Sequence, residues 1–384
     1  MGPYPTLTVA PNLETLAQSA QSFIFSILFG TTLISTAPNR QPVPTENTIK
    51  KASLLEIGEI YIPREVDMPC FASLSSAGPD AGSSAHAFQW GNSRVKLAIS
   101  KEPSSRLRLA QVNGAFRIYL DDKVFIDNVK VLPLAAHAPN QAFLNLSGEC
   151  MMGCAFCAMA PPDKKESLSP ERVLRIVAIS SKQNDFGAVA ITSGIPDSVA
   201  ATNGRMIDAI KAVRAEYPGI PIGSEAYIED LADLARFKEA GATEVKINIE
   251  TWPESRFQKI CPNRNFPKTM ESLEEAVKVF GRGKVTSNII VGLGEDDADI
   301  IAGLKALAGI GVVPNVRGIR VGPKNREKLE KALGIVPNKV SAERLISLGE
   351  KHRNVLEMNG LTTETFETMC FTCRCCDIVP MADL

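Results

Sequence analysis

The chain has 384 residues, 45% of them hydrophobic and 22% charged, enough for one large barrel with an appendage or for two domains. Its 42 basic and 43 acidic residues leave a net charge of −1, so no basic excess points to nucleic acid or to an anionic membrane. A small-molecule or peptide substrate fits that balance better. Of the nine cysteines, seven fall in two short stretches, and only Cys70 and Cys261 stand apart. Clustered thiols read as metal ligands in a reducing compartment rather than as a disulfide framework.

In chain order, the first notable stretch is the apolar "SFIFSILFGTTLI" at 22–34. It is too short to span a bilayer. It also lacks the basic flank of a signal peptide, because the first Lys or Arg is Arg40. A buried helix or an interface, in a cytoplasmic protein without membrane contact, is the expectation. Residues 35–93 are rich in Pro, Ser, Ala and Gly and are expected to be loops. From Arg94, "RVKLAIS", "RLRLAQV" and "FRIYL" alternate apolar with polar residues across Pro-Ser-Ser and Asn-Gly turn signals, and "DDKVFID" continues as another hairpin. Residues 1–134 therefore form an N-terminal region with a small antiparallel β unit.

After "AFLNLS" (142–147) the rhythm changes. Strands are predicted at "AVAITS", "IPIGSE", "EVKINIE", "TSNIIVGL" and "NVRGIRV". Helices are predicted between them at "PERVLRIVAISSK", "NGRMIDAIKAVRAE", "IEDLADLARFKEAG", "MESLEEAVKVFG" and "DDADIIAGLKALAG", most with apolar residues at helical spacing. The fold class is α/β. Six strands alternating with helices make a partial (βα)6 TIM-like barrel over 135–340, with its site at the carboxyl ends of the strands. A helix at 341–360, opened by a serine cap, leads into a Cys-rich tail, so 341–384 form a C-terminal unit.

"GECMMGCAFCAM" (148–159) places Cys150, Cys154 and Cys157 in a CxxxCxxC spacing in the loop after the first barrel strand. A structural zinc site takes four closed ligands, and no fourth donor stands nearby in sequence. Three thiolates suggest a metal centre with one position left open. On a four-iron cluster, which takes about one thiolate per iron, the fourth iron would be free to bind a substrate.

This motif, with Phe156 before its last cysteine and in this position of a βα barrel, resembles the radical SAM superfamily, in its biotin-synthase-like branch. The resemblance implies a 4Fe-4S cluster whose open iron chelates S-adenosylmethionine (SAM), and reductive cleavage to a 5′-deoxyadenosyl radical that abstracts hydrogen. It also implies an electron donor such as ferredoxin or flavodoxin. Thr192, Ser193 and Gly194 stand where family members have a Gly-rich segment that meets the SAM amino group, here Thr-Ser-Gly instead of Gly-Gly-Glu. Glu225, at the end of the third strand, matches a position that contacts the SAM ribose. Asn248 and Glu250 in "INIET" are similar to the strand-four NxET of that branch. "NIIVGLGE" is similar to GxIxGxxE, which receives the adenine: Ile290, Gly292 and Glu295 fit, Gly294 adds a glycine, and Asn288 replaces the first glycine. Arg317 and Arg320 alternate on the sixth strand, where one could face the cavity and bind a carboxylate.

Cys370, Cys373, Cys375 and Cys376 crowd into "CFTCRCC". A second iron–sulfur cluster, a zinc site, or a redox tail are the three readings of these thiols. The expected reaction is C–S bond formation or carbon rearrangement at an unactivated carbon. The alternatives are a cobalamin-assisted radical C-methylation and a non-catalytic iron–sulfur carrier. Cobalamin is not indicated: nothing similar to its usual binding domain precedes residue 140, and His86 and His137 read as ordinary loop or packing residues.

Overall fold

The computed structural model describes residues 44–75, 78–134, 137–164 and 166–384. The apolar stretch at 22–34 lies outside the described residues. Thr45 caps the first helix, α1 (Glu46–Ile57), by accepting the Thr48 N–H at 3.1 Å, and Gly58 ends it in a left-handed turn. The expectation of loops over 35–93 is therefore corrected. The helix escapes a hydrophobicity pattern because its buried side chains include Thr48 and Lys51 beside Ala52 and Leu54.

The strands β1 (Glu59–Tyr61), β2 (Ser73–Leu74), β3 (Ser84–Trp90), β4 (Ser93–Ser100), β5 (Leu107–Val112), β6 (Ala115–Leu120) and β7 (Lys123–Leu132) form one sheet in the order β2-β3-β4-β1-β5-β6-β7. Because β3 also pairs with β7, the sheet closes on itself. β1, β2 and β3 also fall in the segment expected to be loops. The hairpin turns hold as expected: Asn113, Gly114, Asp121 and Asp122 all take positive φ, the two-residue turn that matches strand twist. The unit is not purely antiparallel, since β1 runs parallel to both β4 and β5. Phe88, Val95, Leu97, Leu107, Leu109 and Ile118 fill its core.

The barrel begins at β8 (Gln141–Asn145) and continues through α2 (Pro170–Ser180), β9 (Ala188–Thr192), α3 (Val199–Glu216), β10 (Ile222–Glu225), α4 (Ala232–Ala240) and β11 (Glu244–Lys246). Then come α5 (Glu254–Ile260), α6 (Phe266–Phe280), β12 (Val285–Val291), α7 (Asp297–Ile310), β13 (Val313–Gly318) and α8 (Arg326–Leu333). The six strands are parallel in the order β8 to β13, and among the described residues β8 and β13 do not pair, so the barrel is partial. All seven residues of β12 are buried, the continuous burial of a strand covered on both faces. The fourth strand is shorter than "EVKINIE": regular pairing stops at Lys246, and Glu250 returns to the sheet as a bridge to Ile289 with φ 59°. The sixth begins earlier than "NVRGIRV" and ends at Gly318. Helices α5 and α8 are short and were not expected.

Ser341 caps α9 (Ala342–Met358) as expected, accepting the Arg344 N–H at 3.2 Å. The tail then crosses the amino ends of the barrel strands. Gln141 takes the Met369 N–H at 2.7 Å and gives Nε2 to the Met369 carbonyl at 2.8 Å. Glu244 accepts the N–H groups of Glu367 and Thr368 at 2.9 and 3.0 Å. Gly223 permits this approach, because a Cβ there would stand 2.3 Å from Thr368 Oγ1. The short α10 (Met369–Cys373) and α11 (Pro380–Asp383) end the chain, and a buried ion pair of 2.6 Å joins Asp383 to Lys51 of α1.

Candidate functional site

The loop between β8 and α2 carries Cys150, Cys154 and Cys157 and is pinned from several sides. Cys150 N–H bonds the Ala160 carbonyl at 2.9 Å, Met151 N–H that of Ile195 at 2.8 Å, and Ala155 N–H that of Ile260 at 2.8 Å. From the small β unit, the Gly78 carbonyl accepts the Ala158 N–H at 3.0 Å. Asn325, before α8, donates to the Phe156 carbonyl at 2.7 Å. A loop held by four separate elements keeps its side chains in one arrangement, which a preorganised site requires.

Cys150, Cys154 and Cys157 open on a cavity of about 240 Å³ that runs from the carboxyl ends of the strands into the barrel, past Phe143 to Met369 of the tail. Every barrel strand reaches it, through Asn145, Thr192, Glu225, Lys246 (with Asn248 just beyond), Asn288 and Gly318. The second thiol group lines the same cavity: Cys370, Cys373, Cys375 and Cys376 all face it. Two cysteine motifs that lie far apart in sequence therefore share one chamber.

Most of the other candidate residues are there too. Phe156, Ser193, Gly194, Glu250 and Ile290 line the cavity with those already named, whereas Gly292 and Gly294 do not. Gly194 admits no side chain, because a Cβ would fall 2.2 Å from the Glu149 carbonyl oxygen. Gly292 and Gly294 have left-handed φ of 100° and 86°, in a turn that Glu295 braces by accepting the N–H groups of Gly292 and Leu293, both at 2.6 Å. Of the two arginines, Arg317 binds Asp377 and Arg320 binds Asp80, and both line the cavity.

A polar chain runs around the interior. Asn248 Nδ2 donates to Glu225 at 2.7 Å, and its Oδ1 accepts the Asn288 N–H at 3.0 Å. Asn315 Nδ2 lies 3.0 Å from both Asn288 Oδ1 and Asp377 Oδ2. Arg317 meets Asp377, and both Arg317 and Lys246 point a nitrogen at Cys370 Sγ from 3.4 Å. Lys246 closes the circuit to Glu225 at 3.4 Å. Burial disfavours the charge on Asp377, yet Arg317 holds its carboxyl below the usual range. Burial raises Glu250, which Arg264 faces at 3.3 Å.

Sequence reasoning overlooked Lys96, Lys246, Arg264, Asp377 and Cys261. A lone charge carries no spacing signal, although Asp377 does follow the last cysteine directly. Cys261 lies far from the motif in sequence but beside Cys154, whose thiol it lowers, while burial pushes Cys157 up to about 11. His137, read as a loop or packing residue, does pack edge-on against Phe143 and also lines the cavity.

The donor sets suit iron–sulfur clusters. Each is made of thiols, the soft ligands that hold iron. Among the described residues no three Cys, His, Asp or Glu side chains gather closely enough for a single metal ion. No helix among those residues is long and apolar enough to cross a membrane.

Comparison with known proteins adds to the geometry. Residues 144–307 match the radical SAM superfamily. Lipoyl synthase from Oleidesulfovibrio alaskensis is 30% identical over 179 residues, 44% of this chain and 57% of that protein. Biotin synthase from Leptospira biflexa is 26% identical over 203 residues, 48% of this chain and 56% of that protein. The chain thus spans little more than half of these relatives. Among solved structures, methylornithine synthase is 19% identical with a TM-score of 0.47, covering 58% of this chain and 64% of that one. The FeFe-hydrogenase maturase HydG from Carboxydothermus hydrogenoformans is 17% identical with a TM-score of 0.46, covering 58% and 53%. Residues 144–307 are therefore a radical SAM domain, with lipoyl and biotin synthases among its curated relatives.

Proposed function

We propose that the chain is a radical SAM enzyme that functionalises an unactivated carbon, by C–S bond formation or carbon rearrangement, using two iron–sulfur clusters in one chamber. The observation that carries the reading is the shared cavity: three thiols on the barrel loop and four on the tail face the same space. The relatives' names support it, because lipoyl and biotin synthases are among the matches.

Cys150, Cys154 and Cys157 would hold a 4Fe-4S cluster, which supplies the electron that splits SAM into methionine and a hydrogen-abstracting 5′-deoxyadenosyl radical. Thr192, Ser193 and Gly194 stand beside that loop, and the bare Gly194 lets the loop backbone pack against this strand end, next to where the amino group of the cosubstrate would lie. Glu225 and Asn248 are fixed to each other and offer acceptors for ribose hydroxyls. Ile290 provides an apolar surface for adenine, and the braced turn at Gly292 and Gly294 supports the strand end behind it. Cys370, Cys373, Cys375 and Cys376 would hold the second cluster as sulfur donor or electron relay. Four thiols match the one thiolate per iron that a cluster takes. A small-molecule or peptide substrate enters the remaining space, with a ferredoxin- or flavodoxin-like donor supplying electrons in the cytoplasm.

The test is SAM cleavage after anaerobic reconstitution with iron and sulfide. Formation of 5′-deoxyadenosine that requires a reductant supports the reading. A cluster-loaded, reduced protein that leaves SAM intact makes the chain a carrier instead.

A further inference from the structure

Among the described residues five cations line the chamber, and four of them have a carboxylate partner. Arg264 faces Glu250, Lys246 faces Glu225, Arg317 faces Asp377, and Arg320 faces Asp80. Lys96, on β4 of the small β unit, is the fifth. It is 2% exposed, and among the described residues no carboxylate lies within ion-pair distance of it. Its ammonium sits 3.1 and 3.0 Å from the two ring nitrogens of His137. Burial, and then Lys96 itself, hold that imidazole well below its usual pKa, so it is neutral and offers one lone pair. A buried amine with three donors and one neutral acceptor has hydrogen-bonding capacity left over. Such a group calls for an anion.

The anion's place follows from what surrounds Lys96. Its backbone N–H donates to the Cys375 carbonyl at 2.8 Å, and Arg320 Nη2 reaches the Lys96 carbonyl at 3.4 Å. Cys373 and Cys375 pack with Ala87 of the neighbouring strand β3. Lys96, Arg317 and Arg320 line the same cavity as Cys373, Cys375 and Cys376.

We propose that Lys96 is the counter-cation of the second cluster, so that the small β unit forms a wall of that centre and sets its reduction potential. This rests on the reading of the tail thiols as cluster ligands. A cluster gains negative charge on reduction, and a fixed cation beside it favours the reduced form. Lys96 is thus a positioning residue that acts through the cluster.

The experiment is redox titration of the anaerobically purified full chain, followed by electron paramagnetic resonance, on the wild type, Lys96→Met and Lys96→Arg. Iron is counted in each, and the SAM-site cluster serves as internal reference. Lys96→Met should lower the midpoint of the second signal by at least tenfold in the reduction equilibrium, about 59 mV for one electron. The reference signal should stay in place, and Lys96→Arg should remain near wild type. Loss of the second cluster in Lys96→Met alone also supports the proposal, because the charge is then needed to hold it. An unshifted midpoint with full iron overturns the inference, and so does loss of the second cluster in both variants, which marks Lys96 as packing. About four irons in the wild type overturns the underlying reading instead.

Discussion

Arg317, on the last barrel strand, grips Asp377 of the cysteine tail with two parallel hydrogen bonds, Nε to Oδ1 at 2.9 Å and Nη2 to Oδ2 at 2.7 Å. Asp377 is almost wholly buried, so this pair fastens the tail to the barrel at the edge of the chamber. Removing one partner strands the other. Arg317→Leu should cost about 3–5 kcal/mol in urea unfolding, whereas the double change Arg317→Met with Asp377→Leu should cost clearly less. Equal losses for the single and double variants would show that packing, not charge, fastens the tail.

Gly194 and Gly204 make a contrasting pair. A Cβ at Gly194 would strike the Glu149 carbonyl, while one at Gly204 on α3 would meet nothing within 4 Å. Gly194→Ala should displace the cysteine loop and abolish 5′-deoxyadenosine formation. Gly204→Ala should leave it unchanged and stabilise the chain by about 0.5–1 kcal/mol in thermal or urea unfolding.

The barrel was legible because each strand is a short apolar run and most of its helices carry one apolar face. The first cysteine motif was legible because its spacing and its place after a strand agree. The segment over 46–90 was not: α1 buries Thr48 and Lys51, and "SSAHAFQW" conceals β3 among turn-forming residues. The chamber's charges were also hidden. Lys96, Lys246 and Asp377 meet only when three parts of the chain close on one cavity.

His352 on α9 is buried, and burial lowers its pKa to about 3. In the unfolded chain the same ring titrates near 6.5. The unfolded state therefore binds a proton below about pH 6.5 that the folded state refuses, and stability falls as pH drops from there toward about 3. The wild type should lose up to about 2 kcal/mol between pH 7.5 and 5 from this residue. His352→Leu should flatten that slope in unfolding measured at both pH values. An unchanged slope would assign the acid sensitivity to other groups.

Cys154 and Cys261 are neighbours, yet only Cys154 lines the cavity. Cys154→Ala should abolish SAM cleavage, and Cys261→Ala should retain it. Cleavage that survives Cys154→Ala removes that thiol from the cluster.

The most direct measurement is iron, acid-labile sulfide and zinc per chain after anaerobic purification, in the wild type and in Cys373→Ala/Cys375→Ala. Two clusters in one chamber predict about eight irons without zinc in the wild type, and about four, with SAM cleavage intact, in the variant. About four irons in both proteins, or zinc in place of the second set, would contradict the account.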